Sequence, residues 1–302
     1  MSLPSSSSSP SRIAALQMIS GNDVATNLAS AARLIARAAD AGAQLLVLPE
    51  AFALFGSGGQ RELALGEMGA QPRVRDFLAE QAQRYGVWIV SGTIPLLDTP
   101  KAGAADKAAS SGSELPRSSL PRPQAACLLI DSSGNEVARY NKIHLFDVDV
   151  GDRQGSYRES DTYSPGDAVV VADTPFGRLG LAVCYDLRFA ELFQLMRERG
   201  AEIIALPSAF TRKTGLAHWL PLLRARAIET QCYVIGANQG GIHTPKRQTS
   251  GGSVIIDSWG NVCAEAGFGE CVIIADVDRE KIQRERAAMP VQQHRRFKII
   301  PN

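Results

Sequence analysis

Short, nearly continuous apolar runs alternate along this chain with stretches in which apolar residues recur every three to four positions. The runs at residues 12–18 and 44–48 have strand length and no polar alternation, as expected of strands buried on both faces. Between them, Asn22 and Asp23 offer helix caps ahead of an Ala/Leu-rich amphipathic run to residue 40. A helix over 72–85 and a strand over 87–94 come next. Residues 125–130 and 136–139 predict a hairpin, because their linker Asp131-Ser132-Ser133-Gly134 carries turn chemistry. Further on, the pattern predicts a strand at 168–172, a turn at Gly177-Arg178, a strand at 179–183 and a helix over 190–198 ending at Gly200. A strand at 202–206 and a helix over 217–230 follow, then strands at 232–237, 252–256 and 271–277. Asp278 caps a last helix to residue 287, closed by Pro290.

Buried parallel-type strands mixed with hairpins predict an α/β fold, with two sheets face to face and helices outside, in a single domain. Residues 1–11 read as a disordered Ser-rich tail and 12–302 as the domain. Residues 98–124, rich in Ala, Ser, Gly and Pro without apolar periodicity, read as a flexible surface insertion.

With 302 residues and 45% hydrophobic composition the chain can bury a full-sized core. Its 32 basic and 31 acidic side chains nearly cancel, and no basic block interleaves with aromatics, so no nucleic-acid partner is expected. The apolar runs fall short of the roughly 20 residues a membrane span needs, and the first residues lack the features of a secretory signal. Five widely spaced cysteines (127, 184, 232, 263 and 271) suggest reduced thiols in the cytoplasm. No C-x-x-C pair exists and the four histidines are scattered, so neither a metal nor a cofactor is expected.

Three strand ends carry ionisable side chains. Cys184 follows the apolar run 179–183, at the kind of strand end where open α/β sheets bind ligands; a buried, inert thiol is the plainer alternative. Glu50 follows the run 44–48 after Pro49, and Lys142 lies in the mostly apolar stretch Tyr140-Asn-Lys-Ile-His-Leu-Phe146. Amide hydrolysis by a thiol needs these three types: a thiolate nucleophile, a carboxylate to take and return protons, and an ammonium to stabilise the oxyanion. A nearby lysine favours the thiolate and a nearby carboxylate opposes it, so Glu50 acts best by taking the proton at the moment of attack. Two competing readings are a papain-like Cys–His hydrolase, for which no motif nominates a histidine, and a non-catalytic binding scaffold, which does not require this combination.

The segments Leu48-Pro-Glu50, Tyr140 to Asp147 and Leu181-Ala-Val-Cys-Tyr-Asp-Leu-Arg-Phe-Ala-Glu-Leu192 resemble the Glu, Lys and Cys motifs of the nitrilase superfamily of carbon–nitrogen hydrolases, in the family's order. The resemblance implies a four-layer α-β-β-α sandwich, usually paired as a homodimer or higher homo-oligomer. It implies Glu50 as general base, Lys142 as oxyanion stabiliser, Cys184 as nucleophile, Glu159 as a second glutamate positioning the lysine and substrate, and the Tyr185 N–H as second oxyanion donor. Residues 142–149, 207–219 and 223–234 resemble the Nit amidases, which act on 2-oxo amides. The stretch at 224–231 is similar to deaminated glutathione amidases more than to ω-amidases, implying a small-molecule amide substrate cleaved to 2-oxoglutarate and cysteinylglycine. In that branch Arg188, Phe210 and Thr214 match substrate-pocket positions. Arg188 could instead brace the turn on Asp186 or Glu191, Phe210 could be core packing, and His218 and Trp219 read as structural. The 98–124 insertion and the loop after Val150 depart from the branch's pattern.

Overall fold

The computed structural model describes residues 11–56, 58–97 and 121–300, so the expected tail ahead of residue 11 and residues 98–120 of the expected insertion lie outside the described residues. In chain order the first half comprises β1 (Ser11–Gln17), α1 (Val24–Asp40), β2 (Leu45–Val47), α2 (Gln60–Glu67), α3 (Arg73–Tyr85), β3 (Trp88–Val90), β4 (Ile94–Leu96), β5 (Gln124–Ile130), β6 (Glu136–Asn141), β7 (Asp147–Asp149) and β8 (Ser156–Arg158). The second comprises β9 (Val170–Thr174), β10 (Gly177–Leu181), α4 (Ala190–Glu198), β11 (Ile203–Ser208), α5 (Arg212–Thr230), β12 (Tyr233–Asn238), β13 (Val254–Ile256), β14 (Val262–Glu265), β15 (Cys271–Val277), α6 (Arg279–Ala288) and α7 (Val291–His294).

The period-two alternation of the buried strands sorts their side chains into layers. Ile13 and Ala15 of β1, Leu45 and Val47 of β2, and Cys127 and Leu129 of β5 face the second sheet. Their neighbours Ala14, Leu16, Leu46, Leu48 and Leu128 face α1 and α3, against Leu34, Ile35, Leu78 and Ala82. The first sheet has the order β15-β1-β2-β3-β5-β4 with β6 on β5, and the second β14-β13-β12-β11-β10-β9. Parallel pairing runs through β1-β2-β3 and through β10-β11-β12. Phe193 and Met196 of α4 and Leu223 and Ala227 of α5 cover the second sheet. The result is the expected α-β-β-α order. Among the described residues no helix is long and apolar enough to cross a membrane.

Several boundaries differ from the sequence reading. The strand expected over 87–94 is two strands, because Gly92 takes φ +70° and passes so close to β2 that a Cβ there would lie 2.0 Å from the Pro49 carbonyl oxygen. Helix α5 begins at Arg212, where the Thr211 side chain accepts the Thr214 N–H at 3.3 Å. Gly177 and Arg178 open β10 rather than forming a turn, Gln124 already belongs to β5, and α7 follows Pro290. Helix α2, the β7–β8 hairpin and β14 were not predicted; strands of three or four residues contain too few positions for a period to register.

Gly92 and Gly86 both have positive φ, but a Cβ on Gly86 meets open space. Gly86→Ala should cost roughly 1–2 kcal/mol for the left-handed backbone alone. Gly92→Ala should cost more than that and also lower turnover, since the displaced backbone leads into Glu50. Urea unfolding of both variants checks this; equal losses would remove the steric role of Gly92.

Candidate active site

The C-terminal ends of β2, β6 and β10 open on the same side of the two-sheet core. After β2 the Glu50 loop is pinned on two sides: its carbonyl accepts from Gln239 Nε2 at 3.1 Å, and the next N–H, of Ala51, donates to Thr93 Oγ1 at 2.8 Å. After β6 the Lys142 main chain bonds in both directions, its N–H to the Ala125 carbonyl (3.0 Å) and its carbonyl to the Gly166 N–H (2.8 Å). After β10, Cys184 sits at φ +47°, a conformation a side chain adopts only under constraint, at the head of a 3-10 turn, Cys184–Arg188.

One buried carboxylate ties the last two segments together. Asp186 accepts from the Val183 N–H and the Tyr140 hydroxyl, both at 2.7 Å, and from the His144 N–H at 3.2 Å. His144 Nδ1 lies 2.7 Å from Oδ1, the oxygen that also accepts the His144 N–H, and the imidazole stacks on Phe189 with ring centres 3.6 Å apart. Asp186 is therefore unavailable to Arg188. Among the described residues Arg188 forms no ion pair with Asp186 or Glu191; its guanidinium meets His218 Nδ1 at 3.3 Å and lies over the Tyr185 and Phe210 rings. Trp219 packs on Phe210 and donates to the Gly252 carbonyl, and neither His218 nor Trp219 lines the cavity.

The Lys142 ammonium lies 2.8 Å from Glu50 Oε1 and 2.9 and 2.7 Å from the two oxygens of Glu159, with only 1% of its side chain exposed. Glu159 also accepts the Phe146 N–H at 2.6 Å. The buried Cys184 thiol feels the charges of the Glu50 carboxylate and the Lys142 ammonium. Burial disfavours charge on Lys142, but Glu159 and Glu50 outweigh it and hold the ammonium protonated well above the usual lysine range. Burial, and then the neighbouring Glu50, push Glu159 up despite Lys142. Burial and then Glu50 push the Cys184 thiol well up, with Lys142 opposing, so the resting sulfur is a neutral thiol. Among the described residues no histidine pairs with that thiol: His144 is held by Asp186, His218 by Arg188, and His243 by Ser20 and Thr249.

A cavity of about 480 Å³ opens above these groups and is lined by all eight residues expected from the sequence: Glu50, Lys142, Glu159, Cys184, Tyr185, Arg188, Phe210 and Thr214. It also takes in Phe55, Tyr157, Lys246 and Arg247, which the sequence reading missed. Phe55 comes from one loop, Lys246 and Arg247 from another and Tyr157 from the short strand β8, with no local motif, and only folding brings them together. Asp186 was quoted within the Cys motif, but nothing in its spacing revealed that it would accept from Tyr140 and His144. Among the described residues no group of three or more His, Cys, Asp and Glu side chains could hold a metal ion.

The model of the family described as carbon-nitrogen hydrolase matches residues 12–287. The chain belongs to the carbon–nitrogen hydrolase family. It is 41% identical to the deaminated glutathione amidase of Yersinia enterocolitica over 94% of its own length and 93% of that protein. It is 34% identical to the omega-amidase NIT2-B of Xenopus laevis, over 94% of this chain and 95% of that one. Among solved structures it resembles Nit3 of Saccharomyces cerevisiae, a member of branch 10 of the nitrilase superfamily, with a TM-score of 0.78 and 31% identity, covering 96% and 98% of the two chains. As a carbon–nitrogen hydrolase, the chain is an enzyme for bonds of the linear-amide type rather than a scaffold.

Because the Glu50 charge adds to burial in raising the Cys184 pKa, Glu50→Gln should lower it. A raised thiol pKa means that thiolate accumulates only as pH rises past it, so wild type should react slowly with iodoacetamide near neutrality. Glu50→Gln should shift the pH profile of alkylation at Cys184 downward. An unshifted or upward-shifted profile would show that the carboxylate does not govern the thiol.

Proposed function

We propose that this carbon–nitrogen hydrolase is a thiol amidase that cleaves a small 2-oxo acid amide, deaminated glutathione, to 2-oxoglutarate and cysteinylglycine. The observation that carries the reading is the buried ammonium of Lys142 between Glu50 and Glu159, lining one cavity with the buried Cys184 thiol. The substrate follows from the site together with the 41% identity to the Yersinia amidase.

The resting site is arranged for one proton transfer. As sulfur attacks the amide carbonyl, its proton passes to Glu50, and the negative charge moves from that carboxylate through sulfur to the carbonyl oxygen. Neutralising Glu50 weakens its hold on Lys142, freeing an N–H to turn toward the oxyanion beside the main-chain N–H of Tyr185. Glu159 keeps its grip on the ammonium throughout and so positions it. When the tetrahedral intermediate collapses, the C–N bond breaks, Glu50 gives its proton to the departing amine, and a thioester to Cys184 remains. Glu50 then takes a proton from water as the water attacks, and the acid leaves with Cys184 restored as a thiol.

Arg188 presents a planar cation for the carboxylate of the 2-oxo acid, with Phe210 and Thr214 shaping the wall beside it. The same reading includes a homodimer or higher homo-oligomer and a reducing, cytoplasmic setting that keeps the nucleophile a free thiol. Release of cysteinylglycine from deaminated glutathione by purified protein tests the substrate. A faster kcat/KM on 2-oxoglutaramate would assign the chain to ω-amidase chemistry instead.

Cys184→Ala removes the covalent step and little volume, so folded variant should retain under a few per cent of turnover by the roughly 100-fold or greater losses typical of missing catalytic groups. Lys142→Met removes the charge at constant length and should lower kcat by about 100- to 1000-fold. Lys142→Arg should not restore it, because a wider planar head cannot occupy the gap between Glu50 and Glu159. Steady-state kinetics with circular dichroism decides both; a folded Lys142→Met within about threefold of wild type, far short of that donor loss, excludes Lys142 as the oxyanion group.

A further inference from the structure

Besides Lys142 and Arg188, the cavity contains cationic groups that the chemistry above leaves unused. Arg247, with Lys246 beside it, lies in the loop after β12 and lines the same cavity as Cys184. Its guanidinium is 4.9 Å from the centres of both the Phe55 and Tyr157 rings. Both rings are anchored. Phe55 stacks on His243 at 4.0 Å, and the His243 nitrogens are each 2.7 Å from a partner, the Ser20 carbonyl and Thr249 Oγ1. The Tyr157 hydroxyl donates to Asp152 Oδ2 at 2.7 Å.

Pinned in this way, the Arg247 side chain forms no ion pair among the described residues, although its charge helps hold Asp152 ionised. The one hydrogen bond of its guanidinium there is a long one, Nη1 to Gln154 Oε1 at 3.5 Å, and its buried Nε has no partner. The nearby acid, Asp152, is committed to the N–H groups of Gln154 and Gly155 and to Tyr157, and forms no ion pair with Arg247. Lys246 also borders an adjoining cleft lined by Arg153, Arg212 and Lys213 against one carboxylate, Asp152, so the cleft is net positive. A fixed guanidinium with unused donors, between two aromatic faces, is a receptor for a carboxylate.

We propose that Arg247, assisted by Lys246, binds a carboxylate on the amine side of the scissile bond, so that the enzyme selects amides carrying an anionic group on both sides. This rests on the amidase reading, with Arg188 serving the acyl side. A dipeptide leaving group sets its carboxylate roughly 7 Å beyond the amide nitrogen, two extended residues away. An amide that releases ammonia has nothing to place there, so Arg247 is a specificity residue for the leaving group and takes no part in bond breaking.

The test uses two amides of the same 2-oxo acid, one releasing cysteinylglycine and the other releasing its C-terminal amide, which differs by one charge. Wild type should favour the carboxylate form in kcat/KM by about 10- to 100-fold, the range for a charge-assisted bidentate contact. Arg247→Gln should bring the ratio near unity, Lys246→Gln should reduce it partly, and Arg188→Gln should slow both substrates while preserving it. The ratio reports only on folded enzyme, so a loss of stability cannot imitate this result. A wild-type ratio near unity, or an unchanged ratio in Arg247→Gln, would overturn the subsite while leaving the amidase in place. Wild type cleaving neither amide would overturn the substrate reading and the subsite with it.

Discussion

An ammonium group withdrawn from water is tolerated only where anions and hydrogen-bond acceptors replace its hydration, because the cost of burying an uncompensated charge is several kcal/mol or more. Lys142 meets that condition through two carboxylates at once, Glu50 and Glu159. Burial, and then the Glu50 charge, keep the neighbouring Cys184 thiol protonated. In the proposed mechanism the carboxylate that helps hold the thiol unreactive is also the one that removes its proton. A resting thiol of this kind is protected from incidental alkylation and oxidation, since those reactions need the thiolate.

The scaffold exists, in this view, to bring three strand ends within hydrogen-bond distance and hold them there. Two sheets packed face to face place the ends of β2, β6 and β10 around one opening, and the cores on either side of the first sheet prevent those strands from sliding. Local devices complete the alignment: Gly92 lets β3 pass close under Pro49, Asp186 fastens the cysteine turn to the lysine segment, and Cys184 accepts a positive φ. Strain at such positions persists only because surrounding contacts over-determine it.

The three motif residues and the aromatic wall of the cavity come from different parts of the chain. Glu50, Lys142 and Cys184 follow strands of the central sheets, whereas Phe55 and Arg247 belong to loops and Tyr157 to the short β7–β8 hairpin. Rigid strand ends suit groups whose relative positions must hold to a few tenths of an ångström, and loops can change without disturbing them. That division lets relatives named as deaminated glutathione amidase and as ω-amidase resemble this chain over nearly its whole length.

Much of this was legible in the residues themselves. Continuous apolar runs ending in Glu50 and Cys184 marked buried strands with ionisable groups at their mouths; the three motifs carried the family, the layer order and five of the eight expected residues that line the cavity, and the wider resemblance supplied Glu159, Phe210 and Thr214. Such features are local: a run of apolar side chains or a short motif is complete within a dozen positions. The partners of Asp186, the break at Gly92, and the clamp of Phe55 and Tyr157 on Arg247 were not legible. Each depends on segments far apart in sequence meeting at a defined distance, and no local period encodes that meeting. The chain's own order of residues therefore determined which chemistry the protein carries and on which fold, while only packing decided how the charges are shared and which rings flank Arg247.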